Sequence, residues 1–229
     1  MPVLLNTAYF PPISYFAVMA KEVALSSDRV TPSIVYIEAC ENYQKQSYRN
    51  RCSFYSDSGK QQLSFPIVHV AGAHNNIPIK EVRIDYSVDW VTRHERAIVS
   101  AYRTSAYFDY YVDELFSILD SHPETLFGLN RQLTEFFADK TGLKIDIRET
   151  DDFCPYGSSI YGEDYRERIH PKRPDNILSG LGLEKPYFQV FSGKYGFIPN
   201  LSVMDLLFNE GPESILYLKA ESERQHDIP

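Results

Sequence analysis

The densest group of side chains able to do chemistry is QKQSYRNRC, residues 44–52, where Lys45, Arg49 and Arg51 surround Asn50. A guanidinium grips phosphate or carboxylate with a two-pronged fork, and lysine adds a point charge. Asn50 can donate and accept, which suits a sugar hydroxyl or an amide. Tyr43 and Tyr48 offer ring faces to a sugar or a base. Such a cluster is unexpected in a chain of formal net charge −8. Two readings compete. It is a site for an anionic ligand, or a basic strand end that pairs with the protein's own carboxylates. Under the first, Arg49→Ala and Arg51→Ala weaken ligand binding and leave melting near wild type.

Four other stretches carry candidate groups. In YFPPISYF (9–16), Tyr9 and Phe10 can wall a pocket, and the helix start after Pro12 offers free N–H groups to an anion. This stretch lacks glycine, so it is neither a dinucleotide fingerprint nor a P-loop. DWVTRHERAI (89–98) holds His94, whose titration near neutrality suits a general base or a substrate contact. Arg93 and Arg96 beside it could extend an anion site. RERIHPKRPD (166–175) is a second basic group, with His170, Lys172 and Arg173 on a proline-stiffened loop that reads as a lid or a partner surface. FSGKYGFIPN (191–200) sets Lys194 between glycines that permit close backbone approach. Asp151-Asp152 is an acidic pair at a strand end, weakly specified for Mg²⁺. No nucleophile–base arrangement and no zinc spacing can be assembled, and no catalytic residue or cofactor is assigned. Each stretch also has a plain structural reading: a packed turn, a surface histidine, a solvated loop.

The elements that must position these groups follow from pattern. VLLNTAY (3–9) reads as a strand, SYFAVMAKEVAL (14–25) as a helix and IVYIEA (34–39) as a buried strand. Together they form a βαβ unit with parallel strands. Two alternating runs around Asp57-Ser58-Gly59-Lys60 read as a hairpin. Residues 69–78 read as a loop and 80–85 as a strand. Helices are expected over 92–104, capped by Thr92, over 108–121, and over 123–143 with Leu126, Leu129, Leu133, Phe136 and Phe137 as its apolar stripe. A strand at 144–150 follows, then an irregular segment at 151–186. A helix at 200–211 capped by Asn200 or Ser202, a strand at 215–218 and a solvated tail complete the chain.

Composition bounds the partners. The chain has 229 residues, 17 Tyr and 14 Phe against one Trp. Its acidity argues against nucleic acid. No apolar run reaches the roughly 18 residues of a membrane helix, and the start does not read as a signal peptide. Three cysteines at no ligand spacing suit a reducing cytoplasm. Abundant aromatic surface makes a homodimer one expectation.

Taken in order, YFPPISYF, YQKQSYRNRC, RIDYSVDWVTRHERAIVSAYRTSAYFDYY, LFGLNRQL and YFQVFSGKYGFIPNLSVMDLLFNEGP resemble the WbqC-like protein family across roughly 9–218. The resemblance implies a context of bacterial surface polysaccharides. Two departures stand out. Many members place Gln-Pro before the first Tyr, where this chain has Asn6-Thr7-Ala8. Many also carry an acidic pair after the second strand, where this chain has Glu38 and Glu41 separated by Ala39-Cys40. The expectation is a single α/β domain with an N-terminal βαβ unit, a mixed sheet, a β-hairpin and a helical middle and C-terminal portion. It binds a phosphorylated or nucleotide-linked small molecule through Tyr9, Lys45, Arg49, Asn50, Arg51, His94, Lys172, Arg173 and Lys194. The activity expected is a transferase of sugar metabolism; the alternative is a noncatalytic protein docking an acidic partner.

Overall fold

A computed structural model describes residues 2–25, 32–68 and 77–219. Most of the expected 69–78 loop and the tail from 220 lie outside the described residues. β1 (Val3–Asn6), α1 (Ile13–Leu25) and β2 (Ser33–Glu38) form the βαβ unit, with β1 parallel to β2 in the register Val3 to Val35. β5 (Ile145–Glu149) adds to the far side of β2, and β6 (Glu163–Asp164) to the far side of β1, both parallel. The sheet order is therefore β5-β2-β1-β6. Apart from isolated bridges, the antiparallel pairing among the described residues is that of a separate hairpin, β3 (Arg51–Ser56) with β4 (Gly59–Ser64). The expected mixture of pairings is thus spread over two sheets. Gly59 sits at φ +88, the conformation the hairpin turn requires.

Helices complete the core. α2 (Trp90–Tyr102), α3 (Phe108–Asp120) and α4 (Leu126–Lys140) follow the hairpin, then α5 (Ile177–Gly180), α6 (Ser192–Tyr195), α7 (Val203–Glu210) and α8 (Ser214–Leu218). All five residues of the α4 stripe are buried. Phe137 meets Phe10 at 5.8 Å and Phe16 at 6.3 Å between ring centroids, which joins α4 to α1 and the turn before it. Thr125 caps α4, its hydroxyl accepting from the Gly128 N–H, so this helix starts three residues after the expected proline start. Ser202 caps α7.

Three local expectations change. α2 is capped by Asp89, whose carboxylate accepts from the Thr92 N–H, so Thr92 lies inside the helix. Residues 80–85 form a 3₁₀ turn followed by single bridges, Ile84 to Ile67 and Arg83 to Thr125. Val82 and Ile84 are buried as a strand pattern demands, but among the described residues no neighbouring ladder takes them up. Residues 215–218 are helical and pack against α1 and α7. No helix among the described residues is long and apolar enough to cross a membrane.

Candidate functional site

Numbered by chain order, the parallel strands lie third, second, first, fourth. The order reverses between β1 and β6, and in open α/β sheets ligands lie beyond the strand carboxyl ends at such a reversal. Here the reversal is a narrow crevice whose lining includes Asn6, Thr7, Tyr15, Arg49, Tyr165 and Ile169. Its free volume, about 10 Å³, is room for about one water.

Charge is concentrated around it in two buried networks. The first is centred on Glu38, the last residue of β2. One of its oxygens accepts from the Cys40 N–H at 2.9 Å and the Thr150 hydroxyl at 2.8 Å. The other accepts from the Cys154 N–H at 3.0 Å and from Arg166 at 2.7 Å. Arg166 closes a bidentate fork on Asp164 at 2.9 and 2.7 Å and donates to the Cys154 carbonyl at 2.8 Å. The rings of Tyr156 and Phe153 lie over its guanidinium at 4.5 and 5.8 Å, and both remain about half exposed. Burial raises the Asp164 pKa, but the Arg166 hydrogen bonds and charge more than reverse this and leave it lowered.

The second network is Glu41 with Arg49. The guanidinium forks onto the carboxylate through Nε, at 2.9 Å, and a terminal nitrogen. It also donates to Gln44 at 3.1 Å. Burial raises the Glu41 pKa, and Arg49 only partly offsets the rise. Ser47 shapes this segment by donating to the Gln44 carbonyl and accepting from the Arg49 N–H. Asn130 of α4 donates to the Arg49 carbonyl at 2.8 Å. Asn6 ties β1 to the loop after β6 by donating to the Arg166 carbonyl at 2.8 Å, and its Oδ1 is buried without a partner.

The loop after β6 runs back across this end of the sheet. Lys172 donates to Gln46, so the two basic stretches read from sequence meet. Asp175 anchors the far end of the loop, accepting from Ser14 and from Asn200, each at 2.6 Å. Arg173 is committed to Glu167, and Lys45 is exposed. Arg51 opens β3 with its Nε buried and unpartnered. Asn50 is part-buried and donates to the Phe65 carbonyl.

Four expectations move. Arg49 is not a free anion clamp: its fork is filled by Glu41 in the interior, as the structural reading of the cluster required. Tyr9 and His94 are core residues rather than substrate contacts. The Tyr9 hydroxyl meets His94 Nδ1 at 2.7 Å, and His94 Nε2 meets the Ser64 carbonyl at 3.2 Å. A carbonyl can only accept, so Nε2 carries the proton and Tyr9 donates to Nδ1. Burial pushes the His94 pKa down to about 4, which keeps the ring neutral. Lys194 lies at the hairpin tip and donates to the Asp57 carbonyl, away from the crevice. The start of α1 offers no free donors: the Ile13 N–H goes to the Leu201 carbonyl and the Ser14 N–H to Asn200 Oδ1. Asp151 and Asp152 are exposed, and among the described residues no group of three potential ligands could hold a metal ion. Sequence reasoning missed Glu38, Arg166 and Asn130. The only signal pointing to Glu38 and Glu41 was their place where many WbqC-like members carry an acidic pair.

The WbqC-like protein family model matches residues 7–161. The chain belongs to the WbqC-like family. The match is shorter than the span read from motifs and stops just before β6, so Glu38, Glu41 and Arg49 fall inside it and Arg166 and the covering loop fall outside. The chain is also 24% identical over 239 residues to the Mycobacterium tuberculosis (strain ATCC 25618 / H37Rv) protein titled "Uncharacterized protein Rv1507c", covering 94% of this chain and 96% of that one. No solved structure matches.

Proposed function

We propose that this WbqC-like protein binds a phosphorylated or nucleotide-linked sugar at the β1–β6 crevice and acts on it as a transferase of bacterial surface-polysaccharide or sugar metabolism. The observation that carries the reading is the meeting of the 44–52 segment with the 165–175 loop over the strand carboxyl ends, through Lys172 and Gln46. Lys45 and Lys172 make no ion pair among the described residues, so both are available to a phosphate. The half-exposed faces of Phe153 and Tyr156 suit a sugar ring. The crevice is closed, so a ligand enters by displacing the loop between its anchors at Arg166 and Asp175 and breaking the Lys172–Gln46 contact. The reading includes a cytoplasmic setting, in keeping with three free thiols.

One observation favours a second reading, a noncatalytic protein that docks an acidic ligand or partner. Both buried arginines are already matched by Glu41, Glu38 and Asp164, so neither is free to stabilise a developing charge.

Thermal shifts with nucleotide sugars, sugar phosphates and plain nucleotides test the proposal. A ligand at a hundred times its dissociation constant stabilises by about 2.7 kcal/mol. The expected result is a shift with one class that is reduced in Lys172→Ala. Nucleotide release in the presence of an acceptor sugar supports the transferase; binding without turnover supports the second reading. A ligand shift unchanged in both Lys172→Ala and Lys45→Ala would sink the placement.

A further inference from the structure

Between α2 and α3 the surface opens into a recess of about 530 Å³ that shares no residue with the crevice. That volume is in the range of small-molecule sites. Thr92, Arg96, Ser100 and Arg103 line it from α2. Their spacing of four, four and three puts them on one face of the helix. Arg96 and Arg103 are two turns apart, about 10 Å along the axis, close enough for two long side chains to converge on one ligand. Neither guanidinium has a hydrogen bond or a close ion pair among the described residues, although acidic side chains outnumber basic ones by 31 to 23 and the charge of Arg96 reaches the Asp89 carboxylate.

The rest of the wall fits the same chemistry. Val99 and Phe116 supply an apolar floor. Glu95 is the one acidic group there, and its Oε1 is buried without a partner. Burial, then the neighbouring Asp120 and Asp89 carboxyls, raise the Glu95 pKa. The recess thus combines two guanidiniums without close ion pairs, hydroxyls and a greasy surface, a set that a bare inorganic ion would leave half unused.

We propose that this recess is a second binding site, for a small organic phosphate whose phosphate lies between Arg96 and Arg103 and whose apolar body rests on Val99 and Phe116. The Thr92 and Ser100 hydroxyls complete the phosphate's hydrogen bonds. The site does not depend on the reading of the crevice.

Phenyl phosphate is the probe, titrated into the full chain by calorimetry and by heteronuclear NMR. In the wild type, saturable binding is expected, with the shifted amides in α2 and around Phe116, and tighter binding than that of inorganic phosphate. In Arg96→Ala/Arg103→Ala, both positions being exposed, the affinity should fall by about tenfold or more with melting unchanged. In Lys172→Ala it should be unchanged. Absence of saturable binding, shifted amides elsewhere, equal affinity in the double variant, or a loss in Lys172→Ala would each overturn the proposal. The wild-type shift map decides the matter even if the double variant misfolds.

Discussion

Replacing Arg49 with alanine separates a buried structural arginine from a ligand clamp. The Arg49 side chain is 2% exposed and that of Glu41 4%. Truncation leaves the Glu41 carboxylate in the interior without its fork and strands Gln44. Breaking a buried pair by removing one partner costs about 3–5 kcal/mol. For a chain of this size each kcal/mol moves the melting temperature by about 2–4 °C, so the drop should be roughly 6–20 °C. Arg51→Ala, without an ion pair to break, should stay within about 0.5 kcal/mol. The loss in Arg49→Ala should also depend on pH. Glu41 already has a raised pKa, and without Arg49 it rises further. A carboxyl whose folded pKa lies above its unfolded value contributes stability below the unfolded pKa and loses it as pH rises through the folded one. The variant should therefore recover part of its deficit as pH falls from about 7 to about 5. Chemical denaturation at both pH values measures this. A deficit below about 1 kcal/mol, or one independent of pH, would refute the assignment of Arg49 to the interior.

Two further perturbations test the frame. Asp205 on α7 is buried, and burial lifts its pKa to about 6 from 3.8 against the opposing hydrogen bonds from Tyr187 and Gln189. Its contribution is full below about pH 4 and is lost as pH rises through about 6, a swing on the order of 3 kcal/mol. Denaturation of wild type and Asp205→Asn across that window should show a steeper slope in the wild type, the difference being the Asp205 contribution. Gly162 lies at φ +99, and a Cβ there would stand 1.7 Å from the Pro2 carbonyl oxygen. Gly162→Ala should cost about 2 kcal/mol or more, and amide exchange should rise first at the β1–β6 pairing; unchanged exchange there would show that this edge is not held by that contact.

What the sequence disclosed depended on range. The βαβ unit, the hairpin and the α4 stripe are local patterns, and each was legible. Residues 215–218 misled because four apolar residues fit a strand and a helical turn equally well. Residues 80–85 carry a real alternation that buries Val82 and Ile84 without a ladder. The segment 151–186 read as structureless because what orders it is not periodic: Arg166 reaches Glu38, and Asp175 reaches Ser14, across more than a hundred residues. The same range effect hid the site. Arg49 advertised itself as a cation, while its partner Glu41, eight residues away on no regular element, gave no sign that the charge was spent.

Glu38 has a consequence for how the protein is made. Its donors sit at residues 40, 150, 154 and 166, and the arginine among them is 128 positions downstream. At about 5–20 residues per second, a ribosome that has just finished β2 needs roughly 6–25 s more to deliver Arg166. Over that interval the nascent βαβ unit can collapse only by burying a carboxylate without its cation, or can wait with the strand end wet. Synthesis sets the moment of closure: the first sheet strands to leave the exit tunnel are among the last to be sealed.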